Sequence, residues 1–199
     1  MNLLFWWEVV GTFVFCVSGA VAARGKDMDW FGMFVVGLIT GTGGGMLRSF
    51  LIGDLPPVFL RDPLYFGIAG LATVIAVAGA GWWERVRRAV SVLDAFGLGL
   101  FVVTGMRIAQ AHGLAPWAAL ALGVISATFG GLLRDVIRNE VPLVLRREIY
   151  ATACIAGGLV LIGLDALGSP EGLALAVTTA VVVTIRLLAI RYAIHRSEA

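Results

Sequence analysis

Residues 37–48 read GLITGTGGGMLR, and residues 123–134 read GVISATFGGLLR. Each stretch lies late in an apolar segment, carries a run of glycine and ends on an arginine. The two are 86 positions apart, and the same shift aligns the two halves of the chain without a gap. Gly11 meets Gly97, Phe15 meets Phe101, Gly19 meets Gly105, Thr42 meets Thr128, and Gly44-Gly45 meets Gly130-Gly131. Further on, Arg48 meets Arg134, and Pro56, Val58 and Arg61 meet Pro142, Val144 and Arg147. Glu8 meets Asp94, so an acid precedes each glycine–arginine stretch by the same distance.

Composition decides the solvent. Of 199 residues, 59% are hydrophobic and 14% charged, with a mean hydropathy of +0.93. Soluble domains run nearer half apolar and a quarter charged. A bilayer-spanning helix needs about 20 mostly apolar residues, and the sequence predicts seven: 3–23, 30–52, 63–83, 89–110, 117–137, 149–167 and 172–190. The predicted class is an all-α integral membrane protein with two inverted three-helix repeats, 1–88 and 89–168. A seventh helix and tail follow in 169–199. Three spans per copy is an odd number, so the second copy enters the membrane upside down, an arrangement that recurs in transport proteins.

Charge placement gives the orientation. Arg24 and Lys26, Arg85, Arg87 and Arg88, Arg138, Arg146 and Arg147, and Arg191 and Arg196 fall on one side of a seven-span chain, and Arg61 on the other. The rule that basic loops stay inside puts the N-terminus outside and the C-terminus in the cytoplasm of a cell (inner) membrane. Met1 to Val10 has no basic residue, so the first apolar segment reads as a retained helix rather than a cleaved signal. Membrane lipid is the expected partner, and no basic stripe points to nucleic acid. Cys16 and Cys154 lie in apolar segments and read as small core residues without a disulfide.

Two readings of the glycines stand together. Gly37, Gly41 and Gly45, mirrored by Gly123, Ala127 and Gly131, form a stripe that brings helices close. The adjacent double glycines, Gly44-Gly45 and Gly130-Gly131, predict broken helices that expose carbonyls to a wet cavity and to a cation. Arg48 and Arg134 tilt the balance to a pore, because a charge at the bilayer centre costs about 2.5–3.5 kcal/mol on insertion scales and usually faces the bundle interior. Snorkelling from a helix end is the competing account of each, weaker for Arg134, which has Asp135 beside it and Arg138 marking the interface. Glu8, Asp94 and Asp135 are the available partners, Asp94 being equally suited to an N-cap. Ser18 and Thr104, repeat mates beside glycines, are possible pore-lining hydroxyls that more often bond back to their own helix. Arg107 and Arg186 read as end-of-helix or intersubunit residues. Asp54, Pro56 and Pro57, with Glu140 and Pro142, read as helix stops. His112 and His195 read as exposed. No metal site, phosphate loop or nucleophile–base pair is apparent, so no cofactor and no catalysis are expected.

At its Gly-Gly-x-x-Arg repeats the chain resembles the prokaryotic branch of the trimeric intracellular cation (TRIC) channels, over nearly its whole length. The second repeat matches that family's pattern in ending on Arg134-Asp135. The first departs from it, with Ser49 where the family commonly has Asp. The resemblance implies a homotrimer with one pore per subunit, lined by the first, second, fourth and fifth spans. It implies potassium as the main permeant ion with sodium tolerated, and a gate or constriction at Gly44, Gly45, Arg48, Gly130, Gly131 and Arg134. A secondary transporter of a small amino acid such as glycine is the alternative, since inverted repeats with broken helices suit alternating access equally well. A purely structural scaffold leaves the mirrored arginines unexplained.

Overall fold

The computed structural model describes residues 3–79, 83–146 and 149–197; the side chains of 83–89 and 193–197 are not part of that description. Arg85, Arg87, Arg88, Arg147, Arg196 and His195 therefore lie outside it. The described residues are all helix and connecting turn: α1 (Leu3–Arg24), α2 (Trp30–Ile52), α3 (Val58–Arg61), α4 (Leu64–Ala78), α5 (Trp83–Ala111), α6 (Pro116–Ile137), α7 (Leu143–Arg146), α8 (Ala151–Ala166) and α9 (Glu171–Ser197). Five of these, α1, α2, α5, α6 and α9, are long and apolar enough to cross a membrane. α4 and α8 are apolar but shorter, with 15 and 16 residues. The expected span 63–83 is thus cut back at Gly79, while 149–167 is nearly recovered. α5 starts at Trp83, ahead of the expected residue 89.

Local chemistry sets the ends, and it repeats. Asp29 caps α2 by accepting a hydrogen bond from the Gly32 amide at 2.7 Å. α6 opens instead on Pro116, whose fixed φ suits a first helical position. α2 closes on Gly53 at φ 74°, with the Asp54 amide reaching back to the Ser49 carbonyl at 2.9 Å. α6 closes on Asn139 at φ 54°, with the Glu140 amide on the Asp135 carbonyl at 2.9 Å. Glycine and asparagine are the residues that accept this left-handed terminus. After α1 and α5, Asp27 at φ 53° and Gly113 at φ 78° mark the same kind of turn. Gly53 with Asn139, and Asp27 with Gly113, are again 86 positions apart.

α1, α2, α5 and α6 make the centre. α1 and α5 cross antiparallel about Phe15 and Phe101, repeat mates whose rings stack with centroids 5.3 Å apart. Gly11 lies against Phe101, and Gly97 against Phe15. α2 and α6 also cross antiparallel: Gly44 lies against the Ser126 carbonyl and Gly130 against the Thr40 carbonyl. Thr40 and Ser126 are themselves repeat mates. Within each half, Gly37 fits against the Cys16 carbonyl of α1, and Gly123 against the Val102 carbonyl of α5. The stripe of small residues therefore packs helices, as expected of membrane bundles.

The outer elements are less alike. α4 packs on α1 and α2, and α8 on α6 and α5. α9 covers α5 and α8, with Gly99 against Thr179 and Gly157 against Val182. Outward faces carry exposed apolar side chains, among them Leu51, Val74, Leu159 and Leu173. Cys16 and Cys154 are buried and unpaired with one another.

The double glycines do not break their helices. α2 is continuous helix through Gly43, Gly44 and Gly45, and α6 through Gly130 and Gly131. This corrects the expectation of broken second and fifth spans. The physical reason is the neighbour: a Cβ at Gly44 or Gly130 would collide with a carbonyl oxygen of the opposing helix. These glycines serve close approach rather than a kink.

Candidate functional site

Two buried arginines dominate the interior. Arg48 and Arg134 are each 1% exposed, and neither reaches toward solvent past its helix end. Snorkelling is thereby set aside. Each pairs with the acid of the first helix in its own half. Arg48 Nη2 donates to Glu8 Oε1 at 2.6 Å, and Arg134 Nη1 donates to Asp94 Oδ1 at 2.8 Å. Glu8 stands early in α1 and Arg48 late in the antiparallel α2, so they meet at one end of the bundle. Asp94 and Arg134 meet at the other end, because α5 and α6 run opposite to α1 and α2. Asp94 is fully buried, eleven residues into α5 and far from its first turn, which rules out the N-cap reading.

The second cluster is richer. Arg134 Nε also donates to Asp135 Oδ1 at 2.8 Å, and its Nη1 donates to Ser18 Oγ of α1 at 2.9 Å. Asp135 Oδ2 accepts from the Leu143 amide at 3.0 Å, so one carboxylate ties α6 to the start of α7. Tyr150 is buried beside it, its hydroxyl and Asp94 Oδ1 both flanking Gly131. Arg186 of α9 lies over the Tyr150 ring, 4.6 Å from its centroid, and donates to the Ile149 carbonyl at 2.6 Å. Arg186 is thus buried within the subunit rather than presented to another one. A charge in a low-dielectric interior persists only with partners, and Arg134 has three.

The first cluster is sparser. Arg48 has Glu8 as its charged partner, and its Nε and Nη1 are buried without a hydrogen bond. Ser49 stands where Asp135 stands in the other half, and its hydroxyl is buried and unpartnered. Thr104, the mate of Ser18, does not reach Arg48; its hydroxyl turns to the Phe101 carbonyl of its own helix at 3.4 Å. A cleft of about 250 Å³, counted to its mouth, opens beside Arg48 between Glu8, Thr12, Thr42, Phe59 and Tyr65.

Between the two clusters lies the α2–α6 crossing. It leaves no room for a methyl group at Gly44 or Gly130. Gly45 and Gly131 instead face the charges: a Cβ at Gly45 would lie 3.6 Å from Arg48 Nη2, and one at Gly131 2.8 Å from the Tyr150 hydroxyl. The threonines of the crossing, Thr40, Thr42 and Thr128, donate to their own helix carbonyls four residues back, which occupies their protons.

Several residues at these sites escape a reading of the sequence. Tyr65 and Tyr150 take corresponding places in the halves but are 85 positions apart, not 86, so an ungapped alignment misses them. The slip falls in the connections that hold α3 and α7, whose bounds are also 85 apart. Arg107 forms a two-pronged pair with Asp165 of α8, both bonds 2.8 Å, joined by Gln110. The corresponding positions of the first half, Val21 and Gly79, carry no charge.

Comparison with known proteins follows the same lines. The family model described as glycine transporter matches the chain twice, over residues 5–80 and 91–166, again 86 apart. The chain is 38% identical to the UPF0126 inner membrane protein YadS of Escherichia coli over 159 residues, covering 79% of this chain and 77% of that protein. A UPF0126 membrane protein of Deinococcus radiodurans is 40% identical over 156 residues, covering 77% of this chain and 73% of the relative. Among solved structures, the TRIC trimeric intracellular cation channel orthologue from Rhodobacter sphaeroides superposes with a TM-score of 0.93 at 36% identity, covering 97% of this chain and all of that one. A prokaryotic TRIC channel solved in 0.5 M KCl superposes at 0.91 with 29% identity, covering 96% of this chain and 98% of that one. The chain is a membrane protein of this family, to which the UPF0126 proteins and the prokaryotic TRIC channels both belong.

Proposed function

We propose that the protein is a monovalent cation channel, permeable to potassium with sodium tolerated, with one pore in each subunit of a homotrimer in the cell inner membrane. The observation that carries this reading is the pair of buried guanidinium–carboxylate clusters, Glu8–Arg48 and Asp94–Arg134–Asp135, at opposite ends of one four-helix centre. Buried charge is expensive in a bilayer and is kept where ions or protons move. The likeness to solved cation channels over nearly the whole chain supports the same reading. In this account α1, α2 and α4 are one repeat (residues 1–88) and α5, α6 and α8 the other (89–168). The copies are inverted across the membrane, α9 and the tail (169–199) stand outside them, and α4 and α8 complete seven spans. The N-terminus faces outside. The gate is the α2–α6 crossing at Gly44 and Gly130, flanked by Gly45, Gly131 and the two arginines, with Ser18 and Thr104 on its walls. Opening separates these helices, which leave no room for a methyl group where they cross.

A second reading, transport of a small amino acid, draws on the family model's description as glycine transporter. Liposomes loaded with the purified protein separate the two. A channel gives rapid potassium flux that does not saturate with a solute and is indifferent to glycine. A transporter gives saturable glycine uptake and counterflow with no glycine-independent potassium flux.

A further inference from the structure

α9 stands outside the repeat, yet it carries a third buried arginine. Arg186 is 4% exposed. The partners it finds are a carbonyl and a ring rather than a carboxylate. It donates to the Ile149 carbonyl, lies over the face of Tyr150, and its Nε is buried without a hydrogen bond. A cation is expensive in this setting, and an apolar side chain would pack α9 on α8 without that cost. What the arginine adds is a hold on Tyr150, since a desolvated guanidinium attracts an aromatic ring from its face. α9 is a firm base for that hold. Seven residues earlier, the Thr179 hydroxyl accepts from Trp7 Nε1 of α1 at 3.2 Å and donates to the Gly99 carbonyl of α5 at 3.5 Å.

The tip of the Tyr150 ring meets α6 at its crossing with α2. A Cβ on Gly131 would lie 2.8 Å from the Tyr150 hydroxyl, and the neighbouring Gly130 is the residue that lies against the Thr40 carbonyl of α2. The phenol thus stands beside the turn of α6 that must move if the crossing separates. The first half lacks this arrangement. At Gly45 the nearest atoms, 3.6–4.0 Å from an added Cβ, belong to Arg48 and Glu8, and Tyr65 is not among them. The repeat also has no second copy of α9.

We infer that Tyr150, pinned by Arg186, is a latch through which α9 keeps α6 seated on α2. Arg186 is a positioning residue that acts through Tyr150. One end of the crossing is therefore controlled by the helix that the repeat does not include. That the latch regulates an ion gate rests on the channel reading; that it holds the crossing does not.

Thiol labelling of the purified full-length protein tests the latch without ions. Ser126 is fully buried, its carbonyl under Gly44 and its Cβ beside Gly105, so the thiol introduced by Ser126→Cys reports the crossing. Cys16, buried on α1 against Gly41 of α2, is the control in the same molecule. Incorporation of N-ethylmaleimide is read for each cysteine by peptide mass spectrometry. Arg186→Gln is expected to speed labelling at the crossing about tenfold, the loss of one desolvated cation–ring contact, with Cys16 unchanged. Tyr150→Phe has the same effect to a smaller degree. The two combined fall short of the product of their separate effects, because the residues act as one unit. Arg186→Lys, which keeps a cation over the ring, keeps the slow rate. Should Arg186→Gln fail to fold, Tyr150→Phe decides. An unaltered rate at the crossing in the folded variants overturns the latch. Equal acceleration of Cys16 also overturns it, in favour of a merely structural role. In planar bilayers Arg186→Gln and Tyr150→Phe are expected to raise the open probability, with unitary conductance as in wild type. Currents with wild-type open probability overturn control of the gate. A wild type that carries no current removes the channel reading, and the labelling still decides the latch.

Discussion

The cluster around Arg134 and the cluster around Arg48 descend from one pattern and are held together very differently. Both arginines are equally buried, and both bond the acid forty positions before them. Around Arg134 the pattern gains a second carboxylate from Asp135, a hydroxyl from Ser18, and a backbone amide from α7 that fixes Asp135 in turn. Around Arg48 there is Glu8, itself partly exposed, and a cleft. The difference teaches that inverted repeats need not keep both ends alike. At one end the guanidinium is tied through Nε and Nη1 to two carboxylates and a hydroxyl, and at the other it is bonded through Nη2 alone. The better satisfied a buried polar network is, the more it rigidifies its surroundings.

Substitutions sharpen or break that contrast. The largest effect is expected from Arg134→Ala, which strands Asp94 and Asp135 in the interior. Removing one partner of a buried ion pair costs about 3–5 kcal/mol, read as lost resistance to denaturation by SDS. Next come Gly44→Ala and Gly130→Ala. Each new methyl meets a backbone carbonyl that cannot rotate away, at a cost of about 1–3 kcal/mol, alike at both sites because the crossing is symmetric. Arg48→Ala is expected to cost less than Arg134→Ala, about 1–3 kcal/mol, since it strands one acid rather than two. Equal losses for the two arginines, measured in the same denaturation assay, would erase the contrast. Gly45→Ala is smallest: its added methyl finds only ordinary contacts near Arg48, so the melting temperature stays within about 2 °C of wild type. Gly131→Ala, crowded by the Tyr150 hydroxyl, is expected to melt lower than Gly45→Ala.

The sequence made much of this legible because symmetry writes the same residue twice. Gly44 and Gly130, Arg48 and Arg134, and Glu8 and Asp94 are visible from spacing alone, and the structure brings the acids and arginines of each half together. Less legible was what the glycines do. A break and a close crossing both require glycine, and only the position of Ser126 and Thr40 on the opposing helix distinguishes them. Tyr65 and Tyr150 were hidden by a one-residue slip in a connection, where chain length is free to vary. The Arg107–Asp165 pair joins helices 58 residues apart with no repeat to point at it. α3 and α7 span four residues each, too few for any periodic pattern to show.

The central claim is that the mirrored clusters bracket a pore. Single-channel recording of the purified protein in a planar bilayer, under a potassium gradient, tests it most directly. The account predicts discrete unitary currents that reverse near the potassium potential. A silent bilayer, with protein shown to be folded and inserted and with saturable glycine uptake in liposomes, would contradict it.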